Sequence, residues 1–188
     1  MKLQIIIGST RPSRVSHRIA KWVAQQATDL ADTAVELIDL QDYNLPLFDE
    51  AISPQFNPDR QPNPEAKKWL EKLAEADGYV LVTPEYNRST PAVLKNALDF
   101  VDFQMAKKPV ALVGHGSSGG AQAIATLRIA LPGLQAVSVP TAAFLLDQIG
   151  SKIDGDGEAS EDLSAPAQSV KAVLESLAWY ASALKVAR

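Results

Sequence analysis

Three short segments of this 188-residue chain concentrate groups that bind anions and flat polar rings. The first reads Gly8-Ser9-Thr10-Arg11-Pro12-Ser13-Arg14-Val15-Ser16 and joins an apolar run to a helical pattern. The free backbone N–H groups and dipole of a helix start attract anions. The hydroxyls of Ser9, Thr10, Ser13 and Ser16 add donors, and Arg11 and Arg14 can grip phosphate oxygens two bonds at a time. No Gly-Lys-Ser/Thr follows, so this is not a nucleoside-triphosphate loop, and the Gly-x-Gly-x-x-Gly of dinucleotide folds is missing. A terminal monophosphate suits the segment best. A hydroxyl-rich turn with solvated arginines is the plainer alternative, and the strand–loop–helix setting favours the phosphate.

The second segment, Thr83-Pro84-Glu85-Tyr86-Asn87-Arg88-Ser89-Thr90-Pro91, offers an aromatic plane, an amide and a stiff backbone. The third, Gly114-His115-Gly116-Ser117-Ser118-Gly119-Gly120, is nearly free of bulk, so backbone amides can approach a flat ligand closely. Together the two could seat a planar heteroaromatic ring with N–H donors at its carbonyls. A flavin has that ring, a polar pyrimidine edge and, as a mononucleotide, a terminal phosphate. His115 reads as a hydrogen-bonded structural residue rather than a proton donor, and His17 as a surface residue. With no Cys and only these two His, thiolate chemistry and a histidine-built metal site are both excluded.

The elements that must carry these segments follow from hydrophobic periodicity. Apolar runs predict strands at Leu3 to Ile7, Ala34 to Leu40, Tyr79 to Val82, Pro109 to Val113 and Gln135 to Val139. Helical spacing marks Val15 to Leu30, Glu65 to Ala76, Pro91 to Phe103, Gly120 to Leu131 and Ala165 to Val186. Strict alternation of the two implies an α/β fold with a parallel sheet covered on both faces. Five strands favour the flavodoxin-like order 2-1-3-4-5, a three-layer sandwich, with residues 1–188 as a single domain. In such sheets ligands bind at the carboxyl ends of the strands, where the strand order reverses. The three segments fall on that edge. Two stretches break the rhythm. Gln41 to Pro64 is a proline-rich loop carrying Leu45, Leu47, Phe48 and Phe56, read as interface or lid before surface crossover. Ile149 to Leu163 is an acidic, solvated loop without the spacing of a calcium site.

The 22 acidic and 18 basic residues give a net charge of −4 and no global basic surface, so nucleic acid is not an expected partner. The apolar run at Leu3 to Ile7 is too short for a signal peptide. No run approaches the ~18 apolar residues of a membrane span. A cytoplasmic protein without a membrane partner is the expectation, and the lack of Cys fits a reducing compartment.

The blocks Gly8 to Arg14, Pro84-Glu85-Tyr86-Asn87-Arg88-Ser89, Leu94-Lys95-Asn96-Ala97-Leu98-Asp99 and Gly116-Ser117-Ser118-Gly119-Gly120 resemble the NADPH-dependent FMN reductase family, which includes quinone, azo and chromate reductases. The likeness runs in order over roughly residues 1 to 140. It implies a flavodoxin-like fold, tightly held FMN, NADPH or NADH as electron donor, and homodimers or homotetramers with the flavin near the subunit interface. Carried over by position, it assigns Ser9, Arg11 and Ser16 to the phosphate. It sets Pro84, Glu85, Tyr86 and Asn87 along the isoalloxazine, and Gly116, Ser117, Ser118, Gly119 and Gly120 at its pyrimidine end. The family's frequent Ser-x-Asn after the first arginine is Arg14-Val15-Ser16 here, and Ala92 replaces a common Gly. The resemblance implies ping-pong hydride transfer through the flavin N5 to a small-molecule acceptor, with no catalytic side chain and no metal. The alternative is a flavodoxin-like electron carrier that binds FMN without turning over pyridine nucleotide. A third reading is an α/β protein whose first loop holds another phosphate ester.

Overall fold

The chain folds around five runs of buried, mostly branched side chains. In the computed structural model, which describes residues 1–188 apart from the side chain of Asp147, they form strands β1 (Lys2–Ile7), β2 (Ala34–Asp39), β3 (Gly78–Pro84), β4 (Pro109–Gly116) and β5 (Val137–Leu146). All neighbours pair in parallel, in the order β2-β1-β3-β4-β5. This is the flavodoxin-like order expected from the sequence. Between them lie helices α1 (Ser16–Gln25), α2 (Pro64–Ala74), α3 (Ala92–Asp99) and α4 (Ala121–Ala130), and α5 (Ser164–Val186) closes the chain.

Strand pleat and crossover handedness together divide the core in two. Alternate residues of a strand face opposite sides of the sheet. Leu3, Ile5, Val80, Val82, Ala111 and Val113 meet Ile19, Trp22 and Val23 of α1 and Val173, Leu174 and Leu177 of α5. Ile6, Tyr79, Leu81, Val110 and Leu112 meet Trp69 and Leu73 of α2, Leu94 and Leu98 of α3, and Ile124 and Leu127 of α4. Right-handed crossovers demand this split. The chain moves one way from β1 to β2 and the other way from β2 through β5. The reversal leaves a gap between the carboxyl ends of β1 and β3.

Several elements differ from expectation. β5 runs seven residues beyond Val139, to Leu146. Pro140 hides this extension in the sequence. The strand tolerates it because β5 lies at the sheet edge and its register with β4 shifts between Val110 and Leu112. α1 ends at Gln25 rather than Leu30, and the last residues form turns bonded three residues back. α3 stops at Asp99, before Phe103.

The Gln41–Pro64 segment is fastened to its own chain rather than free. Arg60 donates to both carboxylate oxygens of Glu50, at 2.7 and 2.8 Å, to Asp102 at 2.9 Å and to the Phe100 carbonyl at 2.8 Å. Asn96 clasps it from α3, accepting from Phe48 N–H and donating to the Pro46 carbonyl. Leu47, Ile52 and Phe56 nevertheless point outward, 83%, 51% and 79% exposed. The acidic loop is anchored by buried Ile149, Ile153 and Leu163, while Asp154, Asp156 and Glu158 at its tip are solvated. No group of acidic or histidine side chains among the described residues is placed to hold a metal ion.

Candidate functional site

The three loops singled out in the sequence lie at adjacent strand ends. Gly8 N–H donates to the Val82 carbonyl at 2.8 Å, tying the β1 loop to β3, and Glu85 N–H donates to the His115 carbonyl at 3.1 Å, tying the β3 loop to β4. Between them is a cavity of about 260 Å³, walled by Arg11, Ser13, Arg14 and Ser16 on one side, Pro84 to Tyr86 on another, and His115 and Gly116 on the third. Larger hollows lie elsewhere, one under the Gln41–Pro64 segment, one of about 600 Å³ beside the end of β5 and one of about 520 Å³ along α5. None of these is lined by an arginine, whereas the smaller cavity gathers two arginines and several hydroxyls.

That donor set is incompletely satisfied. α1 has no side-chain cap at Val15 and no acidic residue in its first turn, so its N-terminal amides and dipole face the cavity uncompensated. The Arg14 guanidinium pairs through Nη2 with Asp39, the last residue of β2. Its Nε and Nη1 are buried without any hydrogen-bond partner. Orphaned charged donors in a protein interior are rare, and an anion at the cavity wall would relieve them. The Arg11 guanidinium lies 5.1 Å from the Tyr86 ring centroid, and Tyr86 in turn shares a 2.7 Å hydrogen bond with Ser9. The first loop is therefore braced against the second. Uncapped helix start, buried guanidinium and hydroxyls fit the phosphate of a mononucleotide.

Not all the sequence candidates reach the cavity. Asn87 is exposed at the apex of a tight turn in which Tyr86 and Ser89 exchange both backbone hydrogen bonds. Its φ of 49° and that of Arg88, 63°, are left-handed values that asparagine tolerates well, so Asn87 has a conformational reason to be there. Glu85 turns its carboxylate to the Gln122 N–H, at 2.8 Å, and so caps the uncapped start of α4. Ser117 is exposed and lines the hollow beside β5 instead, and Ser118 is also solvent-facing. Gly119 and Gly120 are buried. Gly120 has φ +76°, and a Cβ there would sit 2.6 Å from the His115 nitrogen, so only glycine folds this loop back onto β4. Ser9 and Ser16 are fully buried, their hydroxyls engaged with Tyr86 and His115 respectively.

Two residues of the site were not among the sequence candidates. Asp39 holds Arg14 in place; its signal was its position at the carboxyl end of β2, on the same edge as the loops. His115, 6% exposed, forms one wall and bonds through Nε2 to Ser16 Oγ at 2.9 Å. The reading of His115 as a hydrogen-bonded residue agrees with this. His17 is half-buried rather than a surface residue.

Burial pushes the His115 imidazole down to about 4, so the ring is neutral at neutral pH. The unfolded chain then takes up a proton, near the ordinary value of 6.5, that the folded ring refuses. Stability is accordingly full above that value and is lost as pH falls toward 4, with a slope from this group approaching one proton per molecule. His17, also lowered by burial, acts in the same direction. Urea midpoints measured from neutral pH downward should fall, and His115→Gln should flatten the fall. An unchanged slope in that variant would place the proton elsewhere.

A family model described as NADPH-dependent FMN reductase matches residues 1–150. An NAD(P)H-dependent FMN reductase of Schizosaccharomyces pombe is 37% identical over 127 residues, 68% of this chain and 64% of that protein. The match thus spans just under two thirds of that relative's length. An NAD(P)H-dependent FMN reductase of a Nectria species is 31% identical over 187 residues, 94% of this chain and 93% of the other. Further relatives are named for 2-hydroxy-1,4-benzoquinone reduction, in a Burkholderia species, and as an NADPH azoreductase, in a Bacillus species. Among solved structures, a flavoenzyme NAD(P)H:acceptor oxidoreductase from Paracoccus denitrificans superposes with a TM-score of 0.73 over 97% of both chains at 21% identity, a likeness of fold.

Proposed function

The chain belongs to the NADPH-dependent FMN reductase family, and from that premise we propose that it is an FMN-dependent oxidoreductase drawing electrons from NADPH or NADH and passing them to quinones or similar small-molecule acceptors, azo compounds and chromate among them. The observation that carries the reading is the meeting of three strand-end loops around one cavity lined by Arg11, the buried guanidinium of Arg14 and the uncapped start of α1. In this reading residues 1–188 act as one FMN-binding domain. Arg11, Ser13, Arg14, Ser16 and the first turn of α1 hold the phosphate. Ser9 holds Tyr86 against that loop. Pro84, Glu85 and Tyr86 border the ring from β3, with Asn87 at the outer rim. Gly116 to Gly120 form the opposite border, where the glycines admit backbone amides to the pyrimidine edge and Ser117 and Ser118 stay at the mouth.

FMN held by these residues would supply the redox chemistry, hydride acceptance from a nicotinamide and electron donation to an acceptor. The side chains need neither take nor give a proton. His115, the only titratable imidazole at the cavity, is neutral and engaged with Ser16. What the chain contributes is grip, orientation and an open approach for flat acceptors. Purified protein loaded with FMN should oxidise NADPH or NADH when a soluble quinone is present, with the parallel double-reciprocal lines of a ping-pong cycle. Bound flavin without turnover would support a carrier instead, and a protein that takes up no FMN would end both readings.

Self-association belongs to the same reading. Besides Leu47, Ile52 and Phe56, Phe103 is 54% exposed and Ile129 at the end of α4 is 81% exposed. Phe56 and Ile129 border the same hollow. Exposed apolar side chains such as Phe56 and Ile129 at one hollow are what an interface between copies requires. A homodimer or homotetramer should elute at two or four times the 20.2 kDa chain mass, and Phe56→Asp with Ile129→Asp should reduce it to one. Elution of the unaltered protein as a monomer at micromolar concentration would contradict this. No helix among the described residues is long and apolar enough to cross a membrane. A cytoplasmic location fits a chain without cysteine.

A further inference from the structure

The wall of the cavity formed by the end of β4 holds a side chain, His115, that the proposed chemistry leaves unused. We infer that His115 is a positioning residue for the cofactor's phosphate, donating its Nε2–H to Ser16 Oγ and thereby turning the Ser16 hydroxyl proton into the cavity. The inference rests on the flavin reading and adds to it a role for a residue that does not touch the ligand.

The argument is one of hydrogen-bond accounting. Ser16 Oγ has one proton to give and lone pairs to accept with. It is fully buried, lies 2.9 Å from His115 Nε2, and opens the first turn of α1 on the cavity wall. If Nε2 carried no proton, the hydroxyl proton would be spent on the ring. Only lone pairs would then face the anion. With the proton on Nε2, the hydroxyl accepts from the ring and is free to donate to a phosphate oxygen. Each bond in such a chain polarises the next. A bound phosphate therefore selects the Nε2–H tautomer.

The surroundings make this a fixed device. The His115 carbonyl accepts from Glu85 N–H, its backbone pairs with Pro84 and Leu145 in register, and Gly120 folds back against its nitrogen. These contacts fix the backbone that carries the ring, and the ring itself is buried and engaged with Ser16. The charged and titratable groups around the cavity are the guanidiniums of Arg11 and Arg14, the Glu85 carboxylate and the Tyr86 phenol, with Asp39 paired to Arg14. Burial opposes protonation of the ring. Donation to Ser16 is thus a matter of tautomer and not of charge.

FMN and riboflavin affinities, read from flavin fluorescence on the apoprotein, test the role because the two ligands differ only in the phosphate. Ser16→Ala should lose about tenfold in FMN affinity, the loss of one charge-assisted bond, and His115→Phe about fivefold, because the Ser16 hydroxyl keeps its proton but is no longer aimed by the ring. The double variant should lose no more than Ser16→Ala alone, because His115 acts on the phosphate only through Ser16. Riboflavin affinity should be unchanged throughout. His115→Gln, whose amide N–H can stand where the ring Nε2 stood, should bind FMN within about threefold of the unaltered protein, a cost of less than one lost bond. Losses that multiply, losses shared equally by riboflavin, or full FMN affinity in His115→Phe would overturn the inference and leave the flavin reading intact. Should phenylalanine at 115 prevent folding, His115→Gln and Ser16→Ala decide between them, and loss of FMN affinity in the glutamine variant overturns the role. If the unaltered protein binds neither ligand, the flavin reading falls and the role of His115 with it.

Discussion

Replacing Arg14 by alanine is expected to weaken FMN binding about 100-fold, while riboflavin affinity stays within about threefold, since hydrogen bonds to charged groups contribute roughly 1.5–3 kcal/mol each. Arg14 is the more consequential of the two arginines. Its side chain is 9% exposed, and Nε and Nη1 have no partner in the protein, so an anion would break no protein hydrogen bond in pairing with them. Arg11 is solvent-facing and spread over the Tyr86 ring. Exposed charges are screened and pay in side-chain entropy. Alanine at position 11 should therefore cost only about tenfold. Asp39 complicates the larger effect, because removing Arg14 leaves that carboxylate without its cation. Asp39→Asn should restore part of the stability lost in the Arg14 variant but none of the phosphate preference. Equal losses for FMN and riboflavin in Arg14→Ala would show that the guanidinium supports the loop and not the ligand.

Trp69→Ala is the substitution expected to cost most in stability, about 3–5 kcal/mol by the usual cost of emptying an aromatic site in a core. Trp69 is completely buried on α2. Tyr43 packs edge-on against it at 5.2 Å, and its indole N–H donates to the Ala97 carbonyl of α3 at 2.8 Å. It therefore joins α2 to the helix that leads out of the second site loop. The alanine variant would lose the apolar burial, leave a cavity and strand a buried carbonyl together. Against a total stability of roughly 5–15 kcal/mol for a domain, that removes a large share. Trp69→Phe keeps most of the volume and should cost less, about 1–3 kcal/mol for the unpaired carbonyl and the smaller ring. Urea unfolding gives both values. A shift below about 1 kcal/mol for the alanine variant would mean that the site collapses around the loss.

The readability of this chain depended on how local each signal was. β1, β3 and β4 were plain because they are buried on both faces, so their residues form nearly continuous apolar runs. The second half of β5 was not, because Pro140 looks like a strand end unless the edge position and register shift are known. The strand order followed from alternation and number, and with it the position of the reversal between β1 and β3. The loops that meet there could be named in advance because small and hydroxyl residues cluster in them. Contacts within the site were another matter. The Arg14–Asp39 pair joins residues 25 apart, and the Ser16–His115 bond joins residues 99 apart. Neither has a sequence signature. Asn87 shows the converse failure, since its residue type suits both a polar ring contact and a left-handed turn, and only the backbone reveals the turn.

The central claim is that residues 8–16, 84–90 and 114–120 act as one receptor for a single phosphorylated ring. Amide resonances of the isotope-labelled protein, followed while FMN is titrated, test it most directly. The account predicts saturation at one FMN per chain, with the largest shifts confined to those three stretches and moving together. Shifts centred on the apolar hollow beside β5, or on one of the loops without the other two, would contradict it.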